Sequence, residues 1–169
     1  VRKNEFLDFS RWLLRSQDDR GGWENPWRFI RPSCVSAYSA MAQGQAISVL
    51  VRAWAMTGDA AFLGGARRAL GPLLDPVSEG GCSYTEGNQI YLEEFPEVPR
   101  STVLNGWIFA GFGLHDISLA AKDTKAKAVF ERTVATLRES LDSYDTGYWS
   151  FHDAQKRIAS PFYHHLHVA

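Results

Sequence analysis

The sequence has 169 residues, of which 45% are hydrophobic and 22% charged, and a formal net charge of −1. These values are typical of one globular domain over residues 1–169 that buries its own core. They argue against a nucleic-acid partner, because phosphate binding needs clustered Lys and Arg, although a few local cations suffice to hold an acidic polysaccharide. No apolar run has the length of a membrane-spanning helix.

The chain ends and the two cysteines carry little information. Residues 1–4 lead directly into an amphipathic pattern without a signal peptide, and we expect the chain to be an excised piece of a longer protein. Cys34 and Cys82 fit neither a disulfide framework nor the spacing of metal ligands. We expect two independent buried thiols, and a single bridge between them is the alternative.

Hydrophobic periodicity predicts three helices in the first half of the chain. The first covers 4–16, and the second covers 36–57, where apolar residues recur at helical spacing. Gly58 is placed to end the second helix, and Asp59 is placed to cap the third. The third helix covers 60–73 and stops near two prolines.

Residues 80–96 change character and predict a β-hairpin. Gly87-Asn88 separates two short runs of β-forming residues, 82–85 and 89–95. Two prolines follow, and Ser101 or Thr102 is then expected to cap the next helix.

The second half of the chain predicts two longer helices. Residues 102–121 are apolar almost all round, which is typical of a helix buried on most sides. Asp123 is expected to cap a more amphipathic helix at 124–142, and a turn-and-strand segment follows at 145–151. The predicted class is therefore mainly all-α, an incomplete α/α toroid with short β-hairpins in the cleft loops. Five or six helices are too few to close a ring.

Several motifs resemble, in the same order, the C-terminal domain of D-glucuronyl C5-epimerases. The longest runs from Tyr38 to Ala53 and contains the block Ala-Met-Ala-Gln-Gly-Gln. The others are Gln17-Asp18 with Gly21-Gly22-Trp23, Glu93-Glu94-Phe95-Pro96, Val103-Leu104-Asn105-Gly106, Tyr144-Asp145-Thr146-Gly147, and Tyr163-His164 with His167. The resemblance covers nearly the whole chain and implies an α/α toroid that continues beyond the last motif.

The resemblance also implies a reaction. The family inverts C5 of glucuronate within a heparosan-type chain, with neither NAD nor a metal in the chemistry. A proton α to a carboxyl group leaves one face of the sugar and another arrives on the opposite face, which requires two acid/base groups flanking the ring. Cations or hydrogen-bond donors must also hold the charge that develops on the substrate carboxylate. Animal members work in the Golgi lumen, and the compartment of this chain is left open.

The family's catalytic positions carry over residue by residue. Glu94 matches the family glutamate and Tyr163 the last family tyrosine, whereas Phe95 and His152 stand where the family has tyrosines. A phenol is therefore missing at Phe95, while the imidazole of His152 titrates near neutral pH and is itself able to carry a proton. A family arginine is also lost, with Gln155 in its place. We expect Glu94, Tyr163 and His152 to be catalytic.

Further residues are candidates for holding the substrate. Arg100 is a candidate for the sugar carboxylate, with a surface role as the alternative, and Lys156 or the adjacent Arg157 for the lost positive charge. Gln43 is expected either to brace a loop or to meet sugar hydroxyls, because buried amides need partners. The remaining candidates are Tyr91, Phe95 and His164.

Three other interpretations remain open. The first is a domain that binds glycan without epimerising it. The second is a glycoside hydrolase or lyase, which needs two carboxylates across the scissile bond; Glu93 and Glu94 point to opposite sides if they lie on a strand. The third is a metal site among His164, His165 and His167, which lack a carboxylate or cysteine at ligand spacing. No cofactor is expected, and a homodimer is left open.

Overall fold

The computed structural model describes residues 2–169, apart from the side chains of Trp27 and Arg28. The chain is mainly helical and carries one antiparallel two-stranded sheet. The α-helices are α1 Lys3–Ser16, α2 Trp27–Ile30, α3 Ala40–Thr57, α4 Ala60–Arg68, α5 Leu70–Leu74, α6 Leu104–Ala121, α7 Thr124–Ser140 and α8 Pro161–Val168. The strands are β1 Ser83–Glu86 and β2 Gln89–Leu92, and single 3-10 turns lie at Val77–Glu79 and Leu141–Tyr144.

Helices α3 and α6 form the centre of the fold and pack with their backbones in close contact. A Cβ added to Gly44 would lie 2.5 Å from the Cα atom of Ala110, and one added to Gly113 would lie 2.4 Å from the Gly44 carbonyl oxygen. Glycine is therefore required at both positions. Trp107 is buried on the other side of α6 and donates its indole N–H to Thr133 of α7 at 2.7 Å. The prediction of a mostly buried helix here is confirmed.

Helix α3 begins four residues later than predicted. Ser39 is its N-cap, and the hydroxyl of Ser39 accepts the N–H of Ala42. The preceding Ser36 bonds instead to the Gly80 carbonyl oxygen at 2.7 Å, and this contact holds the chain in extended form. The predicted helix end is confirmed, since Gly58 adopts φ 72°.

The single helix predicted at 60–73 is wrong, because α4 and α5 are separated at Ala69. Pro72 explains the interruption. It has no N–H to bond the carbonyl of Arg68, and its ring crowds the preceding turn. The cap predicted at Asp59 is confirmed by its bond from the Ala61 N–H at 2.9 Å.

The predicted hairpin is confirmed, with a shorter second strand. β1 and β2 pair from Ser83 with Leu92 to Glu86 with Gln89. The backbone of Ile90 docks on α7, where its N–H donates to Thr136 and its carbonyl oxygen accepts from Thr133.

The start of α6 differs from the prediction. Neither Ser101 nor Thr102 caps the helix; Val103 occupies that position and has no side-chain cap. Thr102 has φ 44° and directs its hydroxyl to Glu93 instead. Asp123 does cap α7, but α7 ends at Ser140, two residues before the predicted end.

The C-terminal segment contains a helix that was not predicted, α8. Ser160 caps α8 and Pro161 occupies its first position. The turn-and-strand segment expected at 145–151 forms only isolated bridges, Asp145 with Ser150 and Phe151 with Ile158. Both cysteines are free and buried, as predicted. Within the described part of the chain, no helix is long and apolar enough to span a membrane.

Candidate functional site

Glu93 anchors the loop that leads from β2 into α6. Its side chain is fully buried and accepts two bonds from Thr102, from the N–H at 2.8 Å and from the hydroxyl at 2.6 Å. Its backbone N–H donates to Cys82 and its carbonyl oxygen accepts from Ala40. Burial raises the pKa of this carboxyl, and the two Thr102 bonds oppose the rise. Glu93 is thus a structural support that fixes the position of the next residue, Glu94.

Glu94 lies against the first turn of α6. A Cβ added to Gly106 would lie 2.3 Å from Oε2 of Glu94 and 2.6 Å from its Cβ, so the carboxyl rests on a surface that only glycine provides. Oε2 is buried and has no hydrogen-bond partner among the described residues. Burial raises the pKa of Glu94 to about 7, although the charge of Arg31 opposes the rise. This carboxyl is therefore able to take up and release a proton near neutral pH.

Arg31 supplies the positive charge beside Glu94, and the sequence interpretation missed it. Its guanidinium lies over the Phe95 ring, 3.9 Å from the ring centre, and 3.5 Å from a carboxylate oxygen of Glu97. The charge of Arg31 lowers the pKa of both Glu94 and His152, so it lies within electrostatic reach of both. No local motif marks this arginine.

His152 and Tyr163 lie side by side near the same end of α6. Their ring centres are 4.7 Å apart. The backbone carbonyl of His152 accepts the N–H of Leu104 at 3.0 Å, which ties His152 to the first residue of α6. Its Nδ1 is buried and unpartnered among the described residues, and burial lowers its pKa. The structure thus brings Glu94, His152 and Tyr163 to the N-terminal end of one helix.

Two more polar groups at this helix end had no assigned role. Asn105 and Ser101 are buried, and within residues 2–169 neither Oδ1 of Asn105 nor Oγ of Ser101 has a partner. Unsatisfied buried polar atoms are costly in a folded protein and are a signal of a ligand site. Asn105 belongs to one of the family motifs, which is the only sequence signal that marks it.

Arg100 and Tyr91 belong to the hairpin side of the loop. The Arg100 guanidinium lies 3.9 Å from the centre of the Tyr91 ring and pairs with Glu86 at 3.1 Å. Tyr91 is buried beside Trp107, with 5.2 Å between ring centres. The charge of Arg100 lowers the pKa of Glu93. Glu86 engages only Nη2 of Arg100, and Nη1 is buried without a partner among the described residues, so the expected contact with a sugar carboxylate does not require Arg100 to leave Glu86.

The other candidates are engaged by their own neighbours. Gln43 is fully buried, with its amide bonded to the backbone N–H and carbonyl of Trp23, so it braces a loop, one of its two expected roles.

Three further candidates also contact their own neighbours. Lys156 donates to the Ser143 carbonyl oxygen. Phe95 is buried beneath Arg31, and His164 stacks on Trp149 with 3.8 Å between ring centres.

Two alternative chemistries gain no support from the geometry. Among the described residues, no three His, Cys, Asp or Glu side chains are arranged to hold a metal ion. Hydrolysis would gain support if Asp145 or Asp153 lay opposite Glu94 as a free second carboxylate. Asp153 is fully buried and paired with Arg157, and Asp145 accepts the N–H of Gly147 within its own turn.

The fold and the site together define a class of protein: a mainly helical domain with the titratable side chains of Glu94, His152 and Tyr163 gathered at one helix end. Comparison with known proteins identifies the family to which this domain belongs. The family profile described as D-glucuronyl C5-epimerase C-terminus matches residues 17–169. The chain therefore belongs to the family of D-glucuronyl C5-epimerase C-terminal domains.

Two curated relatives are similar to the chain. One is the D-glucuronyl C5-epimerase of Caenorhabditis elegans, 33% identical over 93% of this chain and 29% of the relative. The other is an uncharacterized protein of Methanocaldococcus jannaschii, 27% identical over 76% of this chain and 43% of that protein. The chain thus spans less than half the length of either relative.

Proposed function

We propose that this chain is the epimerising domain of a protein that inverts C5 of glucuronate residues in a heparosan-type polysaccharide. Family membership supports the reaction type, and the relative from Caenorhabditis elegans is a D-glucuronyl C5-epimerase. The observation that carries the proposal is the Glu94 carboxyl, buried against Gly106 with a free oxygen and a pKa of about 7. We also propose that the helices form part of an α/α toroid, the fold that the resemblance to the family implies.

Epimerisation at C5 needs one group that removes a proton and another that delivers one from the opposite face. A general acid or base works best when its pKa lies near the working pH. Glu94 meets this condition because burial raises its pKa to about 7. His152 and Tyr163 supply an imidazole and a phenol with ring centres 4.7 Å apart. We assign Glu94 to one face of the sugar and the His152–Tyr163 pair to the other.

Negative charge develops on the substrate carboxylate as the proton leaves C5. Two features near Glu94 are suited to stabilise it. The 18-residue helix α6 presents the positive end of its dipole there, without a side-chain cap. Arg31 adds a full positive charge within reach of both Glu94 and His152. Asn105 offers a buried amide at the same helix end.

A domain that binds glycan without epimerising it is the second candidate. One observation favours it. The guanidinium of Arg31 is already occupied by the Phe95 ring on one side and by Glu97, and Phe95 lacks the phenol of the family pattern. A substrate carboxylate would have to share Arg31 with these neighbours. The two candidates differ in whether C5 exchanges its proton.

The test is to incubate the protein with heparosan and other glucuronate polymers in heavy water and to measure deuterium at C5. We expect incorporation in the wild type and its loss in Glu94→Gln, Tyr163→Phe and His152→Gln. Matched controls are Glu131→Gln, on a glutamate 63% exposed on α7, and Tyr148→Phe, on a tyrosine 84% exposed. Both controls should retain exchange.

Glycan binding is measured on the same proteins by calorimetry. Binding without deuterium incorporation in the wild type would replace the epimerase proposal with the glycan-binding one. Incorporation that survives Glu94→Gln would remove Glu94 from the chemistry while leaving the reaction type in place.

A further inference from the structure

Ser150 lies between two imidazoles close to the candidate site. Its hydroxyl oxygen is 2.9 Å from Nδ1 of His167 and 3.1 Å from Nδ1 of His164, both on α8. Ser150 is itself buried, with 8% of its surface exposed. The bridge thus joins the two histidines of α8 through one protected hydroxyl group.

A hydroxyl group has a single proton, and this limits the states of the two rings. Ser150 is able to donate to only one Nδ1, so the other Nδ1 must carry a proton and donate to the serine oxygen. When both imidazoles are neutral, His164 and His167 therefore hold opposite tautomers. One has its proton on Nδ1 and the other on Nε2.

The two imidazole rings joined by Ser150 lie in different surroundings, one nearer to solvent and the other nearer to His152. His164 is partly exposed and stacks on Trp149, whose indole N–H donates to the Ala159 carbonyl oxygen at 2.8 Å. His167 points the other way: its Nε2 is buried and has no partner in the described part of the chain. Burial, together with the neighbouring His152 and His164, lowers the pKa of His167 to about 4. His167 is therefore neutral near pH 7.

His167 also lies next to the candidate acid/base group His152. Their ring centres are 6.5 Å apart and their planes differ by 20°. This separation is too long for a direct hydrogen bond between ring nitrogens, and it leaves room for one bridging hydroxyl of water or sugar. Nδ1 of His152, like Nε2 of His167, is buried without a partner among the residues described.

We propose that Ser150 links His164 and His167 into a proton relay that connects solvent with His152, a role that rests on the proposed epimerase function. A proton enters at Nε2 of His164, and its Nδ1 proton passes to the Ser150 oxygen. The original Ser150 proton passes to Nδ1 of His167, and Nε2 of His167 releases its proton toward His152 through one hydroxyl. One proton has moved and the serine is again a neutral hydroxyl.

Such a relay serves a need of the reaction. After each inversion one acid/base group holds the proton taken from C5 and the other has lost its own. Both must exchange with solvent before the next turnover in the same direction. The relay performs this exchange at the side of half-buried His152 where Nδ1 is shielded from water, so Ser150, His164 and His167 are positioning residues that need not touch the sugar.

The first test measures tautomers and does not depend on activity. The protein is labelled with nitrogen-15 in its histidines, and long-range proton–nitrogen spectra identify the protonated nitrogen of each ring; His164→Gln and His167→Gln assign the signals. We expect opposite tautomers for His164 and His167 in the wild type, and loss of this fixed pairing in Ser150→Ala. The same tautomer on both wild-type rings would overturn the relay, even if Ser150→Ala did not fold.

The second test measures turnover and its solvent deuterium isotope effect. We expect Ser150→Ala to lower kcat by about 10- to 100-fold with little change in KM and with a larger solvent deuterium isotope effect, since proton delivery becomes limiting. Ser150→Thr keeps the hydroxyl and should recover most of kcat. Ser140→Ala is the control, because the Ser140 hydroxyl donates to the Thr136 carbonyl oxygen within its own helix, α7.

The two tests separate the relay from the proposed function. An unchanged isotope effect and kcat in Ser150→Ala would remove the relay from an active epimerase. Absence of any C5 exchange in the wild type, with opposite tautomers observed, would overturn the epimerase function and leave the hydrogen-bonded chain intact.

Discussion

Replacing Glu94 with Gln removes a carboxyl group whose charged form the fold disfavours. Below pH 4.5, the ordinary pKa, the group is protonated in folded and unfolded chains alike. Between 4.5 and about 7 the unfolded chain loses a proton that the folded chain retains, so rising pH favours unfolding. Above about 7 the penalty is complete and constant. Gln carries no charge, so the Glu94→Gln variant does not have this penalty.

The size of the effect follows from the two pKa values of Glu94. The span from 4.5 to about 7, at 1.36 kcal/mol for each pH unit, gives about 3 kcal/mol. Partial solvent access reduces this, and we expect Glu94→Gln to stabilise the protein by about 2 to 3 kcal/mol above neutral pH and by almost nothing near pH 4.5.

Urea unfolding of both proteins, at about pH 4.5 and about pH 8, measures the difference in unfolding free energy. Other titrating groups are shared by the two proteins and cancel in that difference. Glu131→Gln, on a glutamate 63% exposed on α7, is the surface control and should change the free energy of unfolding much less. The assigned burial of Glu94 would be refuted if the difference in unfolding free energy between Glu94→Gln and the wild type stayed constant with pH. It would also be refuted if the wild type were more stable than Glu94→Gln at about pH 8.

Two further predictions concern the approach to the site. In Gly106→Ala the new Cβ would fall 2.3 Å from Oε2 of Glu94, so we expect the variant to lose about 1 to 3 kcal/mol in stability. Gly111→Ala is the control: its new Cβ would meet no atom within 4 Å, and the variant should gain about 0.5 to 1 kcal/mol. Thermal melts of both variants measure this, and equal melting behaviour would contradict the close contact. Thr102→Val removes the hydroxyl that donates to Glu93 and should cost about 1.5 to 3 kcal/mol in urea unfolding, whereas Thr102→Ser should cost much less; equal stability would show that the bond is unimportant.

The features that the sequence predicted correctly have local causes. Gly58 ends α3 because it adopts a left-handed conformation, and Asp59 and Asp123 cap helices through their own side chains. Each of these signals acts within a few residues. The mainly helical class and the hairpin around Gly87 follow from the same kind of short-range pattern.

The features that were missed have causes that no short-range sequence pattern carries. Thr102 was expected to cap α6, but the buried carboxylate of Glu93 takes its hydroxyl. Arg31 joins the site through Glu97, 66 residues further along, and no pattern near Arg31 announces this. Helix α8 has only eight residues, too few for periodicity to reveal. The catalytic roles of the candidate residues stay predictions.

The anchoring of Glu93 has a consequence for how the domain folds. Through its backbone it is bonded to Ala40 at the start of α3 and to Cys82 before β1, and through its side chain to Thr102 before α6. The bond to Ala40 joins positions 53 residues apart, whereas the bonds to Cys82 and Thr102 span 11 and 9 residues. Only the Ala40 bond therefore needs distant parts of the chain to meet, which is slow and entropically costly. The loop that carries Glu94 is therefore fully anchored only after α3 has packed beside it, and we expect the amide hydrogen of Ala40, which donates to Glu93, to be protected from exchange. A partly folded chain in which α3 has not packed lacks this anchor of the candidate site.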